Sequence, residues 1–368
     1  MINFVSNLPQ DLRSGGFSAM NAAAFGAISK HSDVHYVGPI NPTPRRSSRL
    51  ASKLLRVVGA RSDFSFFSDR RLTSIARQVQ ESCRPSARLD FFHGFTPWIR
   101  TRSARPYVAW SDCTFRDYID IFHQREQFRA ADLSRIERDE ATWLNGAATV
   151  LFTNDWAARR AIEHYGLCER RVQTVGIFGE VDVPLSDGYA GAKEFVFVST
   201  NFEAKGGCVV LAAFRAVRTR HPDASLVIVG DRPVDALADA GVEFAGLLRK
   251  EDPQQRQQFQ ALLSRARAVV HPTTADIAPL LIIEAGYYGC PVISSRKFAI
   301  PEVVDDGRTG LLVDDASDPE VIARAMNRML EDDAEYHGMR EATWTHSRAH
   351  HSKRRFEERL VTSVRALA

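Results

Sequence analysis

Short apolar runs recur along this 368-residue chain, each followed by a longer stretch with helical spacing. Ile2–Val5 reads as a strand, Ser14-Gly15-Gly16 as a tight loop, Phe17–Ser29 as a helix and His35-Tyr36-Val37 as the next strand. Leu89–Phe92, Tyr107–Trp110, Thr149–Phe152 and Val172–Val175 continue the series, between helical stretches such as Gln124–Leu144 and Trp156–Tyr165. Strand and helix in this alternation form βαβ units, so the chain belongs to the α/β class with parallel sheets.

The series is interrupted once. Val181–Lys193 carries Pro184, Ser186, Asp187, Gly188 and Gly191 without apolar periodicity, and reads as a linker. A second block follows. Phe195–Ser199 and Leu226–Val229 are strands, the latter ending at Gly230-Asp231, with helical spacing at Val209–Thr219 between them. Phe259–Arg265 is helical, Ala268–Val270 a strand, Leu281–Gly289 a helix and Val292–Ser294 a strand. Pro319–Leu330 and much of Arg348–Leu367 are helical. The expected division is a Rossmann-like domain over 1–183, a second over 184–345, and a terminal helix over 346–368 that crosses back to the first. Ligands of open α/β sheets bind beyond the carboxyl ends of the strands. Two such domains facing each other make an interdomain cleft suited to a small molecule.

Composition narrows the function. With 44% hydrophobic and 25% charged residues the chain is not disordered, and a net charge of +3 does not call for a polyanionic partner. Five cysteines, odd in number, widely spaced and never in C-x-x-C, suit a reducing cytosol rather than a disulfide scaffold or zinc ribbon. The start has no charged segment leading into a long apolar core, so no signal peptide is expected, and no run approaches the ~20 apolar residues of a spanning helix. Arg45, Arg46, Arg49, Lys53 and Arg56 fall on one helical face, with Leu50, Leu54, Val57 and Val58 beside and opposite. Such a helix over 45–58 can lie on an anionic bilayer as a peripheral contact, or pack on its own domain with the basic face in water. No nucleic-acid recognition motif accompanies it, so no nucleic acid is expected. Walker A, G-x-S-x-G and G-x-G-x-x-G are absent. His346 and His350 stand four apart without a third ligand and read as surface residues, so no metal is expected.

Two of three clusters can carry chemistry. Phe202-Glu203-Ala204-Lys205-Gly206-Gly207 follows a strand and opens a helix. Glycines there admit a ligand close to the backbone, a helix start favours an anion, and a lysine in the same turn adds charge for a phosphate. The pattern also suits an ordinary turn. Pro272-Thr273-Thr274-Ala275-Asp276, then Glu284-Ala285-Gly286, place two carboxylates around a loop leading into a helix. These carboxylates can accept from sugar or ribose hydroxyls; equally, Asp276 can cap a helix while Glu284 is a satisfied buried acid. Gly289-Cys290-Pro291, Pro301-Glu302, Asp306-Gly307 and Thr309–Val313 are punctuation of a fold.

In this order and spacing the clusters resemble the retaining glycosyltransferases of family 4, which have the GT-B fold: two Rossmann-like parallel-sheet domains facing an interdomain cleft. The likeness extends over Asn201–Gly207, Ala213–Gly230, Phe244–Leu248 and His271–Val313. It implies that Lys205, with Gly206 and Gly207, meets the donor diphosphate, Glu284 the donor ribose and Asp276 the transferred sugar. Gly230 and Gly246-Leu247-Leu248 would lie near the base, with Leu280 and Leu281 also on the donor. In the first, acceptor-side domain, Gly15 and Gly16 would cover the diphosphate and His93 would meet the donor sugar, although a βα turn and a structural histidine suit the same residues. Ser111-Asp112, after its strand, either faces the cleft or caps a helix.

Three positions depart from the family. Thr200 stands where an arginine is frequent, Asp276 where the first glutamate stands, and Ala278-Pro279 in place of Phe-Gly. The expected activity is transfer from a nucleoside-diphosphate sugar to a glycan, lipid-linked or other hydroxyl acceptor, with no cofactor and no metal. The alternative, favoured by Thr200 and Asp276, is a non-catalytic homologue that binds a sugar nucleotide or a partner chain.

Overall fold

A computed structural model of the chain describes residues 1–11, 16–43, 60–230 and 239–367. Gly15 and the basic segment 45–58 lie outside the described residues. The chain divides into two units. Met1–Gly176 joins with the chain from Phe356 onward, and Ile177–Arg355 forms the other.

The first unit runs β1 (Ile2–Val5), α1 (Gly16–Ser29), β2 (Val34–Val37), α2 (Asp69–Ser82), β3 (Leu89–His93), β4 (Tyr107–Ser111), α3 (Phe115–Phe122), α4 (Ala130–Asn145), β5 (Thr149–Phe152), α5 (Asp155–Tyr165) and β6 (Val172–Thr174). Its six strands pair in parallel in the order β2-β1-β3-β4-β5-β6. The order reverses direction between β1 and β3, which makes that junction the topological switch. β1, β3, β4 and β5 are buried on both faces, as parallel strands flanked by helices must be. Phe4 stacks on Phe91 at 4.9 Å between ring centroids, joining β1 to β3 inside the core.

The second unit runs β7 (Glu194–Ser199), α6 (Gly207–Arg220), β8 (Ser225–Gly230), β9 (Val242–Gly246), α7 (Pro253–Arg265), β10 (Ala268–His271), α8 (Leu280–Tyr287), β11 (Val292–Ser295), β12 (Gly310–Val313), α9 (Pro319–Glu331) and α10 (Asp333–His350). Its strands are again parallel, in the order β12-β11-β10-β7-β8-β9, with the switch between β7 and β10. Side chains alternate across a strand, so β7 sends Phe195 and Phe197 to one face and Val196 to the other. The first pair packs with Val210, Phe214 and Val217 of α6 and Met326 of α9. Val196 packs with Phe259 and Leu263 of α7 and Ile282 and Ile283 of α8.

Several elements differ from the sequence reading: α4 begins at Ala130 rather than Gln124, and α2, α3 and most of α10 are helices that the apolar spacing did not mark. α7 begins at Pro253, six residues before the apolar pattern, because the Asp252 carboxylate accepts from the amides of Gln254 and Gln255 and proline suits the first helical position. β9 escaped notice because, at the sheet edge, it is only half-buried. The terminal helical stretch breaks between α10 and α11 (Lys353–Arg365). From Phe356 the chain packs within the first unit: Phe356 lies 5.6 Å from the Trp110 ring, and Ser363 Oγ donates to Gln173 Oε1 at 2.7 Å.

Candidate functional site

In the second unit the loops at the carboxyl ends of β7 and β10, either side of the switch, meet. The Asn201–Gly206 turn is closed by Lys205 N donating to Asn201 O at 3.1 Å and Gly207 N to Phe202 O at 2.8 Å. Gly206 has φ +85°, and a Cβ there would sit 3.1 Å from Pro272 O and 3.0 Å from its Cγ. Glycine is therefore required for the β7 turn to lie on the β10 loop. Across this contact Lys205 Nζ reaches Asp276 Oδ1 at 2.6 Å and donates to Ala275 O at 2.9 Å. The other carboxylate oxygen accepts from Thr273 Oγ1 at 2.7 Å and from His271 Nε2 at 3.1 Å.

Burial alone raises the Asp276 pKa. The hydrogen bond and charge of His271, with the ammonium of Lys205, outweigh it and hold the carboxyl below its ordinary value. Asp276 is thus an ionised acceptor, not a helix cap: α8 starts at Leu280 with Pro279 before it and no side-chain cap. No side chain caps α6 either, so the positive end of that helix lies beside Lys205. An ammonium has three N–H groups, and the protein contacts above use two.

Glu284, on α8, is buried and its Oε1 accepts from Lys250 Nζ at 2.5 Å and from Glu180 N at 3.0 Å. Gly179 packs against it so closely that a Cβ would stand 2.7 Å from Glu284 Cγ and 3.0 Å from the Tyr287 ring. Burial, partly offset by Lys250, pushes the nearby Glu180 carboxyl up to about 7. Leu248, past β9, and Leu281 pack against the apolar core on the α7–α8 face, and Leu280 opens α8 half-buried. Gly230 ends β8 at φ +114°, where a Cβ would fall 1.8 Å from Ser199 O. His271 and Lys250 were not singled out in the sequence, although His271 ends its strand as His93 ends β3.

The first unit holds a cavity of about 500 Å³ at the carboxyl ends of β1, β3 and β4. His93, buried at the end of β3, lines it, as do Ser111 and Asp112 after β4. The cap of α3 is Thr114, which accepts from Asp117 N, leaving Asp112 to the cavity. Loss of solvent raises the Asp112 pKa against its hydrogen bonds from Ser111 and Cys113. Glu140 on α4 joins two of the lining loops, accepting from Thr96 Oγ1 at 2.6 Å, Phe115 N at 2.6 Å and Tyr165 Oη at 2.9 Å. Burial pushes its carboxyl up to about 7. Gly16 opens α1.

Among the described residues, no three His, Cys, Asp or Glu are grouped to hold a metal ion, and no helix is long and apolar enough to cross a membrane. His350 is exposed, but His346 is half-buried, its ring 4.7 Å from that of His350 and 5.7 Å from that of His351.

Two solved structures share this architecture over essentially the full chain. Anabaena HepE in complex with UDP superposes with a TM-score of 0.66 at 15% identity, covering 100% of both chains. Sucrose-phosphate synthase from Thermosynechococcus elongatus gives 0.70 at 15%, covering 100% of this chain and 98% of that one. Likeness at that identity establishes the fold, which is GT-B. Residues 192–332 match the glycosyl transferases group 1 family, and this part of the chain is such a domain. D-inositol 3-phosphate glycosyltransferase of Corynebacterium diphtheriae is 31% identical over 150 residues, 38% of this chain and 35% of that protein. Phosphatidyl-myo-inositol mannosyltransferase of Mycolicibacterium smegmatis is 30% identical over 171 residues, 43% of this chain and 42% of that protein. The chain thus spans well under half the length of these two relatives.

Proposed function

We propose that the protein is a retaining glycosyltransferase that moves a sugar from a nucleoside diphosphate to the hydroxyl of a glycan or lipid-linked acceptor. The observation that carries this reading is the Lys205–Asp276 pair, 2.6 Å apart at the start of α6 and astride the β7/β10 switch. The reaction builds negative charge on the departing diphosphate. Lys205 and the first amides of α6 would meet it with positive charge supplied by the chain itself, without a metal. Asp276, held ionised, is suited to accept from hydroxyls of the transferred sugar, and Glu284 from the donor ribose. In the front-face reaction that the family resemblance implies, the bond from the anomeric carbon to the diphosphate breaks while that to the acceptor oxygen forms. The acceptor proton passes to the departing phosphate oxygen.

The matched relatives are named as glycosyltransferases, and HepE structures hold UDP and UDP-glucose. Five free cysteines favour a reducing compartment. The test is thermal stability against UDP-, GDP-, ADP- and dTDP-sugars. A ligand that binds only the folded state stabilises by ~2.7 kcal/mol at a hundredfold excess over its dissociation constant. A shift with one nucleotide class supports the reading and names the donor; no shift with any of the four refutes it.

A further inference from the structure

We propose that the cavity of the first unit takes an amphipathic acceptor: the reacting hydroxyl beside His93 and Asp112, and an apolar or aromatic group against Phe64, Phe66, Phe67 and Tyr118, all of which line it. This rests on the reading of the chain as a glycosyltransferase and names the class of its acceptor.

The wall is built, not incidental. Phe66 and Tyr118 are 41% and 37% exposed, whereas Phe64 and Phe67 are buried. Phe64 and Phe67 stack at 5.6 Å, and Tyr118 meets Phe64 edge-on at 6.3 Å. Charged side chains fix the loop that carries the three phenylalanines. Asp132 accepts from Phe64 N at 2.7 Å, and Arg135 donates to Phe67 O at 3.0 Å. Arg71 donates to Phe66 O at 3.0 Å, and its guanidinium lies 4.0 Å over the Phe66 ring. Arg71 is itself buried and anchored on Pro42 O and Asn41 Oδ1, at 2.8 and 2.6 Å. A half-exposed ring is thus presented in one orientation, with little left to order when a ligand arrives.

Polar groups line the same cavity. Ser111 Oγ donates to Asp112 Oδ1 at 3.3 Å, and both face the cavity beside His93. A volume of about 500 Å³ suits a small molecule. A free polyol filling it would set hydroxyls against phenyl rings that offer no conventional hydrogen-bond partner. A hydroxyl compound with an aryl or alkyl group meets both kinds of lining.

The experiment is calorimetric titration of the full-length protein with phenyl, hexyl and methyl β-glucosides, with UDP titrated separately. Phenyl and hexyl glucosides are expected to bind about tenfold or more tightly than the methyl glucoside, the added group being buried against the rings. Phe66→Ser should reduce that advantage to less than about threefold while UDP affinity stays unchanged. Phe122→Ser, at an aromatic that is 42% exposed but outside the cavity, should leave the advantage intact. Equal binding of the three glucosides, binding of none, or a preference that survives Phe66→Ser overturns the proposal. Loss of UDP binding with the preference retained would count against the transferase reading and leave the amphipathic site standing.

Discussion

The Lys205–Asp276 contact invites a quantitative test that needs no substrate. At 2.6 Å, two unit charges attract by about 1.6 kcal/mol at the dielectric of water and about 6 kcal/mol at an effective value near 20. The side chains are 23% and 25% exposed, between these limits, and desolvation and side-chain ordering offset much of the attraction. A net coupling of ~1–2 kcal/mol is expected. Urea unfolding of the wild type, Lys205→Met, Asp276→Asn and the double variant forms a double-mutant cycle that isolates it. Asp276→Asn keeps the shape and removes the charge; Lys205→Met keeps the stem and removes the ammonium. A coupling below ~0.3 kcal/mol would refute a net stabilising contact between the two side chains. The same Lys205→Met protein should lose ~10²–10³ in turnover once a donor is known, since it removes the charge facing the leaving group. A folded variant with near-normal turnover would refute the role given to Lys205.

Other consequences are as direct. Gly230→Ala should cost more than ~3 kcal/mol, because its Cβ would lie 1.8 Å from Ser199 O at a φ of +114°; an unchanged urea midpoint would contradict the β7–β8 geometry. Glu284→Ala should weaken nucleotide-sugar binding by about tenfold and destabilise the second unit by ~2–4 kcal/mol, since it strands Lys250 Nζ and the Glu180 amide; calorimetry and urea unfolding measure the two effects. The Asp276 carboxyl is depressed in the folded state, so the stability it contributes is present above its ordinary value of 3.8 and lost as pH falls through the lower folded value. Asp276→Asn should therefore flatten the acid side of the stability profile, and an unchanged slope there would show the carboxyl not to be depressed.

The alternation of strand and helix was legible because parallel strands are apolar on both faces, and most strand positions follow from it. What sequence spacing does not convey is which loops meet. By spacing alone Lys205 and Asp276 read as members of separate clusters; the family resemblance assigns both to one donor, and the strand order, with β10 beside β7, is what brings the side chains into contact. Lys250 was hidden because it follows β9, whose half-exposed edge position weakens the apolar signal. Phe64, Phe66 and Phe67 lie where short-range periodicity is broken, so nothing marked them as a wall. Glu140 did carry a signal: it sits among Leu133, Ile136, Trp143 and Leu144 on the buried face of α4, where an acid has to find partners.

The return of the chain from Phe356 bears on the order in which the protein is made. Trp110 and Gln173 of the first unit are completed by Phe356 and Ser363. The unit synthesised first is thus finished last. Between Gly176 and Phe356 the ribosome adds on the order of 180 residues, which at ~5–20 residues per second takes roughly 10–40 s. Throughout that interval the nascent first unit lacks the apolar cover of α11, so its exposed surface is a natural target for chaperones, and the second unit can fold before its predecessor has closed.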